Sequence, residues 1–196
     1  MTDLNAIKLA TRDLHTRAER SGIIADILAG RASRLGVALL LRNLLPVYQL
    51  LDASALGHPA LARSDVIKAD LLVLSPGVDL PLLTQGQAYA DWVTRASDGD
   101  TSGLLGHIYV RYLGDLNGGR IMQRRLAACL GEVGGALAFG HYPVLDNEDN
   151  FRRDYREELD RAVRVAKFET VKREALAAFE LNIVLSEAVK SHVESA

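Results

Sequence analysis

A chain of 196 residues, 48% hydrophobic and 24% charged, has the length of one large domain and the apolar content for a sizeable core. Its 23 basic and 25 acidic residues leave a formal charge of −2, so the overall charge gives no reason to expect nucleic acid or an anionic membrane surface as a partner. A single cysteine, Cys129, excludes an intrachain disulfide scaffold and is expected to pack in the interior. The polar, amphipathic start MTDLNAIKLATRDLH lacks the apolar stretch of a signal peptide, and no apolar run is expected to approach the roughly 18 residues that cross a bilayer. The end, VLSEAVKSHVESA, carries no apolar tail, and a cytoplasmic protein without membrane association is expected.

Leu, Ala, Arg and Glu dominate, alternating β-branched stretches are nearly absent, and aromatics are 6%, so helices are expected throughout. The first ends at Ser21-Gly22. A long helix runs from near Ser33 to Gly57-His58-Pro59, with Val37, Leu41, Leu44, Tyr48 and Leu51 as its apolar stripe. Pro46 lies inside it and should kink it, because proline removes a backbone donor. Ser75-Pro76-Gly77 separates the next two helices, and Asp98-Gly99-Asp100 precedes another. Residues Gly131 to Asp146 read as a glycine-rich loop with one proline. From about Glu148 two helices close the chain, one with Phe151, Tyr155, Leu159 and Val163 on a stripe, the other beginning a stripe at Leu176, Phe179, Ile183 and Val184. With no repeat, low-complexity tract or linker, the expected architecture is a single all-α helical bundle over residues 1–196.

Two stretches carry chemistry. In the first helix, Lys8, Arg12, His15 and Glu19 follow at offsets of four, three and four, which places them on one face. Lys8 and His15 are about 10 Å apart along the axis. Such a face offers an imidazole to a metal and two cations to distant carboxylates, with Glu19 in reach of the second ring nitrogen. It equally reads as a solvated face in which Glu19 pairs with Arg12 or Arg20. In HIYVRYLGDLNGGR, residues 107–120, Gly114 and Gly118 lie one turn apart within a helical pattern, at a cost of roughly 1 kcal/mol each relative to alanine. Either another helix packs there or a flat ligand presses on bare backbone. Alternatively, Asn117-Gly118-Gly119 ends the helix as a C-cap. Arg111 stands one turn before Asp115, set to pair with it or to hold ordered water with it. No histidine stands near the glycines, and His107 is two turns earlier. His58, His141 and His192 fall in an expected turn, loop and tail.

The stretches IKLATRDLHTRAE and IYVRYLGDLNGGR together resemble the biliverdin-forming haem oxygenases. FRRDYREELD and AAFELNIVLSEAV match that family's closing helices, so the resemblance runs in register from about residue 4 to 190. It implies haem between the first helix and a glycine-kinked distal helix, as both substrate and cofactor. His15 then corresponds to the axial iron ligand, with Glu19 as its hydrogen-bond partner. Lys8 and Arg12 correspond to propionate contacts, Tyr109 to a lining residue at the haem edge, and Gly114 and Gly118 to distal backbone over the ring. Asp115 corresponds to the anchor of a distal water network, with Arg111 and Tyr48 as outer members. Arg152 and Arg156 correspond to a second basic contact, and Phe179 and Asn182 to positions in the last pocket helix. Three positions depart from common forms of the family. Arg12 replaces a frequent Lys, Asn117 a frequent Ser, and Ser186 an aromatic of some relatives, which is expected to loosen one haem edge.

The implied reaction is oxygen- and electron-dependent opening of haem at a meso carbon to biliverdin, CO and ferrous iron. Electrons are expected from a soluble donor, a ferredoxin or flavoprotein reductase, and the chain is expected to be a monomer. Two other readings stand beside this one. The first is a haem carrier or sensor on the same fold without turnover; the second is an unrelated helical enzyme or interaction module of thiaminase-like architecture.

Overall fold

The computed structural model describes residues 3–142, 145 and 148–195, and among them it contains α-helices and no strand. The helices are α1 (Asp3–Glu19), α2 (Gly22–Leu28), α3 (Arg34–Ala53), α4 (Ser64–Leu74), α5 (Thr84–Ala96), α6 (Ser102–Ile108), α7 (Gly114–Leu130), α8 (Glu132–Ala136), α9 (Glu148–Val165) and α10 (Phe168–Glu194). The breakers read in the sequence fall between them or, at Gly22, open the next helix. The expected loop after Gly131 contains the short α8; its Pro143 and Asp146 lie outside the described residues. His192, expected in a tail, is part of α10.

Helix α3 starts where Ser33 accepts a hydrogen bond from the Gly36 amide at 3.1 Å, an N-cap, and it continues past Pro46 to Ala53. All five residues of its expected stripe are buried. The whole helix is long and apolar enough to cross a membrane, contrary to the expectation that no run came near that length, and 61% of the apolar stretch is buried in the fold. Polar residues interrupt the run in the sequence, but they serve the bundle. Arg34 donates to the Leu74 carbonyl at 2.7 Å, Arg42 to that of Leu80 at 3.1 Å, and buried Asn43 bonds Leu39, Pro81 and Leu83.

Helix α10 packs on α1, α2, α3, α5 and α6. It approaches α6 closely because Gly106 has no side chain: a Cβ there would lie 2.6 Å from the Ala175 nitrogen. Phe179 and Ile183 face the core, whereas Val184, expected on the same stripe, is 50% exposed, since one residue turns the helix face by about 100°. Ser186 sits at a joint. Its hydroxyl donates to the Ser21 carbonyl at 2.8 Å and accepts from the Ile24 amide at 3.0 Å. Gly22, with φ of +54°, lies so close that a Cβ would be 2.2 Å from the Ser186 carbonyl carbon. The Ser186 hydroxyl thus ties α10 to the α1–α2 corner, and the close approach there requires a glycine at 22.

Helices α6 and α7 are joined by a π-helical turn, Tyr109–Leu113, so residues 102–130 form one bent rod. The rod does not end at Asn117-Gly118-Gly119; it reaches Leu130 and stops at Gly131, whose φ of 59° suits a glycine. Half-buried Cys129 places its sulfur 3.6 Å from the Ile27 carbonyl, at the contact of α7 with α2.

Candidate functional site

Between α1 and the bent rod lies a cavity of about 640 Å³, a volume typical of ligand sites. Helix α1 contributes Lys8, Arg12, His15 and Glu19, so the four residues at helical spacing do share one cavity face. The pairing of Glu19 with Arg12 does not form; Arg12 turns to Asp13 at 3.4 Å. The His15 Nδ1 stands 3.8 Å from Glu19 Oε1, and both side chains are more than half exposed. The edge of the His15 ring meets Phe179, with centroids 5.7 Å apart.

The opposite wall is bare backbone. A Cβ built on Gly114 or Gly118 would meet nothing within 4 Å, and both glycines line the cavity. These two positions therefore face open space, not a packed helix. Gly119 differs, for a Cβ there would lie 2.7 Å from the Gly140 carbonyl oxygen. The three glycines thus do two jobs: two leave room for a flat body, and the third admits the segment that carries Phe139 and Gly140 into the lining.

Beside the glycines, Asp115 lines the cavity and accepts a hydrogen bond from the Tyr48 hydroxyl, which stands behind the wall. Burial pushes the Asp115 carboxyl above its ordinary 3.8, against the opposing pull of Arg111 and the Tyr48 hydrogen bond. Burial and then the neighbouring Asp115 raise Tyr48 well above the phenol range, so the proton stays on Tyr48 and Asp115 remains the acceptor. The Arg111 guanidinium is buried nearby, and its Nε has no hydrogen-bond partner. The Tyr89 hydroxyl and Asn182 Oδ1 are also buried without partners. Arg111 and Asn182 line the cavity, and unsatisfied polar atoms beside a cavity signal a place for water or ligand.

Among the described residues no group of three or more His, Cys, Asp or Glu side chains could hold a bare metal ion. A single cavity histidine suits an iron whose other ligands come with a macrocycle. A family model for heme oxygenase matches residues 2–188. The chain belongs to the haem oxygenase family.

Curated relatives match nearly all of this chain and about seven- to eight-tenths of their own length. Heme oxygenase 1 of Rattus norvegicus is 29% identical over 95% of this chain and 71% of its own length. Heme oxygenase 1 of Synechocystis sp. is 28% identical, with 90% and 80% covered. The heme oxygenase of Takifugu rubripes is 30% identical, with 92% and 72% covered. Among solved structures, the heme oxygenase of Leptospira interrogans is 25% identical with a TM-score of 0.83, covering 96% of this chain and all of that one. Synechocystis heme oxygenase-1 in complex with heme shares the fold at a TM-score of 0.87 and 24% identity, with 100% and 95% covered. Membership makes this chain a haem-degrading enzyme of a family that forms biliverdin.

Two basic residues of α9 separate in this haem oxygenase. Arg156 lines the cavity and donates to Asn5 Oδ1 at 2.7 Å. Arg152 lies outside the lining. Its fork is engaged by Asp149 at 2.8 Å, by Glu148, and by the Leu116 carbonyl at 3.1 Å, so it ties α9 to α7. Tyr109 lines the cavity from the π turn. His107, the next candidate ligand, is buried away from the cavity with Nε2 3.5 Å from Glu174. A second cavity of about 500 Å³ by α5 and α10 has paired charges, Lys167 with Asp100 and Arg173 with Glu174. Sequence reasoning missed Tyr89 and the Phe139–Gly140 segment, because neither lies within a helical turn of the quoted motifs.

Proposed function

We propose that the cavity takes haem with His15 as the axial ligand of its iron, and that the chain opens the ring to biliverdin, CO and ferrous iron. The observation that carries this reading is the pairing of opposite walls: one lone imidazole faces two glycines whose missing side chains leave the cavity open. Haem brings the iron and oxygen chemistry together with the carbon skeleton that is cut.

This chain's residues bind, orient and move protons. Lys8, Arg12 and Arg156, cations at the cavity, receive the propionates. Glu19, within reach of His15 Nδ1, holds the tautomer that leaves Nε2 free for the iron. Tyr109 and Phe179 pack against the ring, and Asn182, whose buried Oδ1 has no hydrogen-bond partner, lines the site. Asp115, held by Tyr48 beside Arg111, accepts from an ordered water. Its raised proton affinity suits it to pass protons through that water to the distal side. A carrier has no use for such a cluster. Electrons come from a soluble ferredoxin or flavoprotein reductase, and the chain works as a cytoplasmic monomer.

The test is one equivalent of hemin, a reductant and oxygen, followed by absorption. Loss of the Soret band with growth of a broad red band supports turnover. A stable Soret band favours the carrier or sensor; no Soret shift removes haem from the cavity.

A further inference from the structure

Two buried charges behind the distal wall have no part in the scheme above. Asp70 of α4, 3% exposed, accepts from the Ala138 amide at 2.9 Å and the Phe139 amide at 2.8 Å. Arg63, 4% exposed and immediately before α4, donates to the His141 carbonyl at 2.9 Å and lies 4.0 Å over the Tyr142 ring. One carboxylate and one guanidinium, two helical turns apart, therefore grip donors and acceptors of the same short stretch. Residues 137–142 belong to no helix, so helical hydrogen bonds do not fix their place.

That stretch touches the reaction machinery. The Phe139 ring meets the Tyr48 ring edge-on at 5.7 Å, and Tyr48 donates to Asp115. Gly140 backs onto Gly119. The grip is itself anchored. Asp52, in the last turn of α3, accepts from the Arg63 amide at 3.0 Å and the Ser64 amide at 2.7 Å, and from the Tyr112 hydroxyl of the π turn at 2.5 Å. The start of α4 is thus tied to the bent rod, and its side chains reach to the wall beside that rod.

We infer that Asp70 and Arg63 are positioning residues for the distal site: they clamp the backbone of residues 138–141, hold Phe139 against Tyr48, and so keep the Tyr48 hydroxyl on Asp115. The inference rests on the haem reading of the cavity. Asp70→Asn keeps the size of the side chain but sets an amide NH₂ against a backbone N–H, so one of the two bonds is lost.

Two measurements test it on the full chain. Hydrogen exchange of the Ala138 and Phe139 amides in the haem-free protein should quicken by about tenfold or more in Asp70→Asn. The pH midpoint of the absorption change of the ferric haem complex, which senses the distal hydrogen bonds, should move by about half a unit or more. Unchanged exchange overturns the clamp. Faster exchange with a midpoint at the wild-type value reduces it to scaffolding and overturns the positioning role. Should Asp70→Asn not fold, Phe139→Leu keeps both clamp bonds and removes the ring from Tyr48; a shifted midpoint then supports the inference and a wild-type midpoint overturns it. Failure of the haem reading shows separately, as the absence of any wild-type complex, and the inference falls with it.

Discussion

The two walls of the cavity are built in opposite ways. On α1 the groups are exposed and loosely held: His15 stands 3.8 Å from Glu19, and both side chains are more than half open to solvent. On the distal side Arg111 and Tyr48 are buried, Tyr48 is bonded to Asp115, and Phe139 packs edge-on against Tyr48. Cations on flexible stems can adjust to carboxylates that arrive with a ligand. A proton-delivering cluster must be in place beforehand, since reorganisation during the reaction adds to the barrier. The soft wall serves binding, and the hard wall serves chemistry.

The largest effect that would separate the walls is on turnover. Asp115→Ala should leave the hemin Soret shift close to wild type and lower biliverdin formation by about 10²–10⁴-fold, the usual worth of a positioned proton-transfer group. Unchanged yield from the haem complex would return Asp115 to a structural role.

Next in size is a contrast within the distal wall. Gly119→Ala drives a methyl to 2.7 Å from the Gly140 oxygen and should cost about 1–3 kcal/mol in chemical denaturation. Gly118→Ala meets open cavity and should stabilise the haem-free protein by about 0.5–1 kcal/mol, because alanine favours the helix. Equal responses would dissolve the division of labour between the glycines.

A pH series sharpens the same contrast. Asp115 has its proton affinity raised by burial from 3.8, so its contribution to stability is fully present below that value and is lost as pH rises through the folded value. Asp115→Asn, which carries no charge to bury, should therefore gain on wild type as pH climbs above 3.8. Glu174 behaves in the opposite sense. The His107 ring, with Nε2 3.5 Å away, and the Trp92 hydrogen bond lower it to about 2, so its contribution is present above 4.5 and is lost as pH falls toward 2. A constant Asp115→Asn difference across pH 4–8 would contradict the burial of that carboxylate.

Legibility follows the same line. The α1 face could be read because helical spacing alone brings Lys8, Arg12, His15 and Glu19 together, and the helix boundaries because Gly, Pro and Ser punctuate them. Tyr48 was found only through the family resemblance. Tyr89, Asp70 and Arg63 were not found: the side chains of Asp70 and Arg63 meet residues 138–141, far along the chain, and Tyr89 on α5 lies outside the quoted motifs. Arg152 and Arg156, one turn apart, looked equivalent. Which of them reaches the cavity depends on Glu148, Asp149 and the Leu116 carbonyl, a choice made by tertiary contacts. Ser186 was read as a departure at one haem edge, and its bonds to Ser21 and Ile24 across the α1–α2 corner could not be seen from spacing.

The smallest predicted change tests the soft wall. His15 makes one long contact to Glu19 and one ring-edge contact to Phe179, and its side chain is 58% exposed. His15→Ala should therefore alter the stability of the haem-free chain by no more than about 0.5 kcal/mol, as for an exposed residue without a structural partner. The same variant should lose the axial ligand's absorption signature while Lys8, Arg12 and Arg156 still retain hemin. A large loss of stability would mean that the α1 face is built as firmly as the distal one. An unaltered haem spectrum would mean that the iron takes its ligand elsewhere, and would place the preformed chemistry of the distal wall against a partner other than His15.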